Sequence, residues 1–397
     1  MSKRITVSGT GCCLVDLLYN RIDFTGSTMQ PYLSKTRGDG GLLPGKLVFR
    51  EEFEEFAGAS LDDFIASVAA GRDCDAMNIG GPSIVSLIHA AQLTERKRCE
   101  IRFYGKAGND PHGEFLVSAL HKTPVVLKDL QMIDKPTPST LVLSDPEYDN
   151  GHGERMFINS IGAAWEVDPE QLDDSFFSSD IVVFGGTALV PRIHDNLASL
   201  LARARAGGSM TIVNTVYDFR SESKRPAERW TLGETEESYR YIDLLITDRE
   251  EAFGLSGETD IRGAISFFRK KGLPALIITN GSQPVHLYSE GDAFGHLATI
   301  SLPVSRKVTG ELAHRLGGDT TGCGDNFAGG IIASVAVQMS EGAHPPDLLE
   351  ACAWGIVSGG FACFYMGGTY MEKEEGEKLS QIKPYFTAYK HQIQRSG

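Results

Sequence analysis

The chain has 397 residues, with 38 Lys or Arg against 52 Asp or Glu, and a formal net charge of −14. This acidity argues against a nucleic acid or an anionic membrane as partner, because both require extended basic patches. A hydrophobic content of 41% with 23% charged residues is ordinary for a globular protein, and it excludes disorder, collagen and coiled coil. No apolar run reaches a membrane-spanning length, and the seven cysteines include no C-x-x-C pair. We therefore predict reduced cysteines and a cytoplasmic location.

Apolar segments that alternate with helical stretches predict βαβ units and a parallel sheet covered by helices on both faces. In chain order the predicted strands are residues 5–8, 101–104, 181–185, 210–214, 242–246 and 275–279. The predicted helices between them include 113–121, 193–206 and 261–271.

Two stretches interrupt this alternation. Residues 21–56 are rich in Gly, Pro, Asp and Glu, and residues 140–158 predict two strands around the turn Asp149-Asn150-Gly151. Neither belongs in a doubly wound sheet, so together they predict a small β lid formed by insertions at about 17–58 and 135–165. The charged run 372–378 is interpreted as a solvated helix face.

Two glycine motifs are too weak to assign a cofactor. Gly9-Thr10-Gly11 follows a predicted strand, but Leu14 stands where a dinucleotide motif has its third glycine. The segment 40–46 resembles a phosphate-binding loop, but Leu47 replaces the Ser or Thr that would hold magnesium.

The strongest motif is the glycine-rich stretch 317–330, which leads into an apolar helix. A helix that begins after glycines presents free backbone N–H groups and the positive end of its dipole, and both favour an anion. Asp325 lies in the predicted first turn. An aspartate there is either a helix cap or a general base that faces the bound anion.

Asp319–Phe327 reads D-T-T-G-C-G-D-N-F and closely resembles the D-T-T-G-A-G-D-x-F signature of the ribokinase-like, phosphofructokinase-B type sugar kinases, with Cys323 in place of alanine. Further blocks of the same family follow in the expected order, at residues 5–16, 78–93, 105–113, 248–252 and 279–281. The resemblance therefore covers almost the whole chain.

This resemblance implies a ribokinase-like three-layer α/β/α sandwich with a mostly parallel central sheet and a small β lid, as one kinase domain over residues 1–397. It implies transfer of the γ-phosphoryl group of ATP to a hydroxyl of a small sugar or sugar-like substrate. By this analogy Asp325 abstracts the hydroxyl proton, while the N–H groups of Gly322, Cys323 and Gly324 stabilise the transferring phosphoryl group.

The resemblance also implies ligands for the nucleotide and the metal. Asp248 and Glu251 would organise hydrated Mg²⁺ at the phosphates. Thr279 and Gly281, with Asp248 beside them, would contact the nucleotide. Glu251 could also be an exposed helix residue.

For the substrate, the resemblance implies contacts from Asp16, Gly80 and Gly81, although Asp16 could simply cap a turn. Asp319 and Thr321 occupy positions that bind a monovalent cation such as K⁺ in some relatives, and turn formation explains them nearly as well. In the family the lid closes over the sugar and often forms the contact of a homodimer.

Three departures from the family pattern bear on specificity. Val85 stands where the G-G-x-x-x-N motif carries asparagine, so one contact to a sugar hydroxyl is lost. Asp248 replaces an asparagine, and the segment 304–318 before the signature is longer and more polar than expected.

Two alternatives stay open: a non-catalytic sugar- or nucleoside-binding regulatory protein on the same fold, and a nucleoside kinase. Polar residues of the lid should decide the substrate, and the candidates are Arg37, Arg50, Arg155 and Asn159.

Overall fold

The structure is a computed structural model, and it describes residues 3–36, 38–151, 153–225, 228–315 and 318–394. Within these ranges the chain forms fourteen strands: β1 (Ile5–Gly11), β2 (Leu14–Asn20), β3 (Leu47–Phe49), β4 (Ala76–Gly80), β5 (Cys99–Gly108), β6 (Val126–Ile133), β7 (Ser139–Asp145), β8 (Glu154–Ser160), β9 (Ile181–Gly185), β10 (Met210–Asn214), β11 (Leu244–Asp248), β12 (Ala275–Thr279), β13 (Val285–Ser289) and β14 (Leu297–Leu302).

The α-helices of the same ranges are α1 (Arg50–Ala57), α2 (Leu61–Val68), α3 (Pro82–Gln92), α4 (Pro111–Leu120), α5 (Tyr148–Gly151), α6 (Asp174–Phe177), α7 (Pro191–Asp195), α8 (Leu197–Ala206), α9 (Phe219–Lys224), α10 (Arg249–Ser256), α11 (Ile261–Lys270), α12 (Arg306–Leu312), α13 (Cys323–Ser340), α14 (Leu348–Ala362) and α15 (Glu377–Gln394). None of them is long and apolar enough to cross a bilayer.

The central sheet has nine strands in the order β14-β13-β12-β11-β10-β9-β1-β5-β6. The seven strands from β12 to β6 run parallel, and β13 and β14 add an antiparallel edge. Successive residues of one strand pack into different cores. Ile181 and Val183 join a core with α3, α13 and α14, whereas Val182 and Phe184 join a core with α8, α10 and α11. This confirms the predicted three-layer α/β/α sandwich.

Most predicted elements are present, with shifts at their ends. Strands 181–185, 210–214 and 275–279 have the predicted bounds, and the strand predicted at 242–246 lies at Leu244–Asp248. The helix predicted at 193–206 is instead two helices that meet at Asn196, whose side chain donates to the carbonyl of Arg192. Side-chain hydrogen bonds of this kind compete with the regular helical ladder.

A second sheet forms the lid, in the order β3-β8-β7-β2-β4. The chain passes from β1 of the central sheet to β2 of the lid across only Cys12 and Cys13. The predicted pair of strands around 149–151 is β7 and β8, which pair antiparallel. The lid also includes α2 and β4, which lie beyond the predicted limit at residue 58.

One face of the lid sheet is apolar and is covered by the long insertion itself. Leu141 and Ile158 of the sheet pack in one cluster with Phe53 of α1 and Phe64 of α2. The rings of Phe53 and Phe64 lie 4.7 Å apart, edge to face. A homodimer through the lid stays a prediction, but this face is buried within one chain and would not carry it.

Candidate active site

The candidate site lies at the carboxyl edge of the central sheet, where β1 separates two groups of strands. In open α/β sheets ligands bind in the crevice at such a reversal of strand order. Gly11, the last residue of β1, has φ +130°, and a Cβ there would lie 1.8 Å from the carbonyl oxygen of Gly185. Only glycine allows the ends of β1 and β9 to approach in this way.

The glycine-rich motif forms the N-terminus of the 18-residue helix α13, as predicted. Gly322 is the N-cap with φ +69°, and a Cβ on it would lie 2.4 Å from the Cα of Gly368. The N–H of Cys323 donates to the carbonyl of Thr320 at 3.3 Å. The N–H groups of Gly322 and Gly324 have no hydrogen-bond partner within the described ranges. Two of the three predicted donors are therefore free for an anion.

Asp325 is the third residue of α13 and lies partly exposed beside these donors. Since Gly322 is the N-cap, the interpretation of Asp325 as the helix cap is wrong. Burial raises the pKa of Asp325 to about 7. A carboxyl group with a pKa near neutrality is suited to accept a proton.

The residues Gly322, Cys323 and Gly324 are called the anion-binding turn below. Asn326, the residue after Asp325, connects this turn to its surroundings. Its Nδ2 donates to the carbonyls of Gly322 and Gly368, both at 2.8 Å. Its Oδ1 accepts from the hydroxyl of Tyr365 and from Nζ of Lys378, both at 3.0 Å. Lys378 is only 1% exposed, so the prediction of a solvated face is wrong for this residue. Burial lowers the pKa of its amine well below the usual value.

The polar face of the lid sheet lies opposite its apolar face, and strand register aligns a row of side chains on it. Asp16 of β2 pairs with Asn78 of β4 and with Thr140 of β7, and Thr140 pairs with Asn159 of β8. Directly paired residues point to the same face of a sheet. The row Asn78–Asp16–Thr140–Asn159, called the polar row below, thus carries a carboxylate, a hydroxyl and two amides. Among these, Asn78 and Thr140 were not predicted as site residues.

Asp16 and the two glycines predicted beside it come together. A Cβ on Gly80 would lie 2.3 Å from Oδ2 of Asp16, so the carboxylate lies across a position that must lack a side chain. Gly81, with φ +104°, is the N-cap of α3 and approaches the carbonyl of Cys12. Its conformation shapes the backbone at the start of α3, and its contact with the substrate stays a prediction. Burial, and then the charges of Asp325 and Asp319, raise the pKa of Asp16 to about 7.

Arg155 of β8 reaches from the lid to the signature motif. Its guanidinium lies 3.2 Å from Oδ2 of Asp319 and donates to the hydroxyl of Thr321 at 2.5 Å. Its charge also opposes the rise in the pKa of Asp16. A monovalent cation at Asp319 and Thr321 stays a prediction.

The other lid candidates have different surroundings. Arg50 pairs with Glu54 within α1, at 2.9 Å. Asn159 is 2% exposed and donates to the hydroxyl of Thr140 at 2.9 Å. Arg37 lies outside the described residues. Val85, where the family has asparagine, is buried against Gly368.

Asp248 and Glu251 form a reciprocal capping box at the start of α10. The interpretation of Glu251 as an exposed helix residue is wrong, because it is 9% exposed. Its Oε2 accepts from the hydroxyls of Thr215 and Thr247 and from the N–H of Asp248. Burial, and then the charge of Asp248, raise the pKa of Glu251 to about 8. Asp248 replaces asparagine without loss of the cap, since both residues cap well.

The predicted nucleotide contacts lie beside this capping box. Thr279 ends β12 and is in register with Asp248 at the end of β11. Gly281 follows as an exposed residue with φ +55°. The long polar segment before the signature contains α12.

No group of three or more His, Cys, Asp or Glu side chains suited to a metal occurs in the described part of the chain. The two carboxylates of Asp248 and Glu251 fit Mg²⁺ that is held mainly through water and phosphate, as that ion prefers, rather than by a protein cage.

Comparison with known proteins agrees with this geometry. Residues 72–374 match the pfkB family of carbohydrate kinases. A fructokinase from Klebsiella pneumoniae is 26% identical over 265 residues, which cover 64% of this chain and 78% of the fructokinase.

Solved structures share the fold at lower sequence identity. The adenosine kinase from Sinorhizobium meliloti has a TM-score of 0.68 and 18% identity, with 96% of this chain and 100% of that chain covered. The ribokinase from Thermotoga maritima has a TM-score of 0.61 and 18% identity, with coverage of 96% and 99%. The chain therefore belongs to the pfkB family of carbohydrate kinases, with the ribokinase-like fold, and is a phosphotransferase with an alcohol group as acceptor.

Proposed function

We propose that this protein transfers the γ-phosphoryl group of ATP to a hydroxyl of a small sugar or sugar-like substrate. The observation that carries the proposal is the position of Asp325, beside two free N–H groups at the N-terminus of α13 and close enough to Asp16 to raise its pKa.

The polar row orients the substrate. Asp16 accepts hydrogen bonds from hydroxyls, and the amide of Asn78 can both donate and accept. Because Val85 is apolar, the neighbouring amide of Asn78 in the lid sheet takes over part of the polar recognition. A substrate with several adjacent hydroxyls satisfies this arrangement.

In the chemical step, Asp325 takes the proton of the acceptor hydroxyl as the hydroxyl oxygen attacks the γ-phosphorus of ATP. The bond from that phosphorus to the bridging oxygen breaks, and ADP leaves. The N–H groups of Gly322 and Gly324 would hold the oxygens of the transferring group, and the hydrogen bonds of Asn326 fix the turn that carries these donors. Preorganised donors of this kind are the main source of catalysis in phosphoryl transfer.

Asp248 and Glu251 would hold Mg²⁺ through water, and the bound ion would neutralise charge on the phosphates. Three hydrogen bonds converge on Oε2 of Glu251, whereas Oε1 accepts none from the described residues. Oε1 would therefore be the oxygen available to a water of the ion. Thr279 and Gly281 would contact the nucleotide.

The test is ATP consumption with a panel of sugars, sugar acids and nucleosides, with the phosphorylated product identified by mass. Asp325→Asn is the matched control and should lower kcat by about 10²- to 10⁴-fold. Turnover of nucleosides alone would establish a nucleoside kinase. Ligand-induced thermal stabilisation without any turnover would establish a non-catalytic binding protein and refute the proposal.

A further inference from the structure

Two cysteine sulfurs lie in contact beside the anion-binding turn. Cys323 is the first residue of α13, and Cys363 directly follows the end of α14. Their Sγ atoms are 3.3 Å apart. Both side chains are partly exposed, whereas Cys12, Cys13, Cys99 and Cys352 are buried.

We propose that Cys323 and Cys363 form a reversible thiol–disulfide site, and that its oxidation inactivates the anion-binding turn. The covalent site stands on the sulfur geometry alone. Its effect on activity rests on the function proposed above.

The geometry favours this bond over other pairings. A disulfide needs an S–S distance of about 2.05 Å, so the two sulfurs must approach by only about 1.3 Å. The backbone of Cys363 also packs on the signature motif, since a Cβ on Gly318 would lie 1.9 Å from its carbonyl oxygen. The turn and the end of α14 are thus already in contact.

A small-molecule disulfide supplies the oxidant. The hydrogen bond between the two sulfurs lowers the pKa of Cys363, so Cys363 is the attacking thiolate. It attacks one sulfur of oxidised glutathione and releases one glutathione thiol. The Cys323 sulfur then displaces the second glutathione and closes the protein disulfide. Two protein thiols and one glutathione disulfide become one protein disulfide and two glutathione thiols, and the reverse exchange restores the pair.

Closure of this bond displaces the first turn of α13. The Cys323 backbone lies between the two free N–H donors of Gly322 and Gly324, and Asp325 follows two residues later. Loss of one such donor in other enzymes lowers kcat by about 10²- to 10³-fold, so oxidation should lower activity at least about tenfold. ATP bound at the turn should slow the oxidation, because its phosphates cover Cys323.

The experiment incubates the full-length protein with oxidised glutathione and follows both the covalent bond and kinase activity. No Lys or Arg lies between Cys323 and Cys363, so trypsin leaves both in one peptide. Cleavage after Glu341 and Glu350 separates them. The expected product is a cross-linked peptide pair that has lost two hydrogen atoms and is separated by dithiothreitol, which also restores activity.

Cys363→Ser should keep its basal activity and lose the sensitivity to oxidised glutathione. Cys74→Ser, which removes a partly exposed thiol of the lid, should stay as sensitive as the unmodified chain. Failure to recover the cross-linked pair, or equal inactivation of Cys363→Ser, would overturn the proposal. A cross-link that forms in a chain without kinase activity would support the thiol site and count against the proposed function.

Discussion

Burial raises the pKa of the carboxyl groups of Asp325 and Asp16 to about 7, so the proposed role of Asp325 as base predicts a rate of phosphoryl transfer that is sensitive to pH. Asp325 must be ionised to accept a proton. With a pKa of about 7, only about 1% of the chains carry the ionised base at about pH 5, so kcat/KM should be ~100-fold below its plateau. An aspartate with the ordinary pKa would lose less than about 10% of its activity there. If Asp16 must also be ionised, the fall becomes steeper, with apparent pKa values that belong to the pair.

The assay is initial-rate kinetics from about pH 5 to about pH 9 at constant ionic strength. The phosphates of ATP titrate in the same range, so the residual activity of Asp325→Asn supplies the matched control for the nucleotide. Asp16→Asn tests the second carboxylate and should make the profile less steep. A flat profile down to about pH 5, or the same profile for the unmodified chain and Asp325→Asn, would refute the role of Asp325 as base.

Three further predictions concern stability and packing. Because the folded-state pKa of Asp325 is raised, the stability from its protonated form is lost as pH rises through about 7. In calorimetry at about pH 8, Asp325→Asn should therefore melt at a higher temperature than the unmodified chain. This difference in melting temperature should vanish near about pH 4. Gly80→Ala places a Cβ 2.3 Å from Oδ2 of Asp16, so the carboxylate must move. KM for the substrate should then rise about tenfold, with a smaller change in kcat. An unchanged KM would contradict the proposed position of Asp16. Lys378→Met removes a buried amine whose desolvation is costly, so the free energy of unfolding should change by less than about 1 kcal/mol in denaturant titrations. Because Asn326 loses a hydrogen bond, kcat should nevertheless fall about tenfold. An unchanged kcat would show that this bond does not position the turn.

The parts of the site that were predictable from the sequence are local in the chain. The turn before α13 is encoded by consecutive glycines and an apolar run, so its helix start and the position of Asp325 follow from neighbouring residues. The capping box of Asp248 and Glu251 is equally local, since it spans four consecutive residues.

The parts that were missed depend on tertiary contacts. Lys378 belongs to a run of charges, and nothing near it in sequence indicates that Asn326 lies against its amine. Arg155 was a candidate, but its contact with Asp319 was not predicted, because 164 positions of the chain separate the two residues. Asn78 joins the polar row only through the register of β2 and β4, and register cannot be read from either strand alone.

The apolar face of the lid has a consequence for kinetics. Where lids of two subunits pack on each other, opening one lid perturbs its neighbour, and the substrate sites become coupled. Here Phe53 and Phe64 of the same chain cover that face, so this face would not couple the lids of two copies. Saturation by substrate should then be hyperbolic, and the rate per chain should stay constant on dilution.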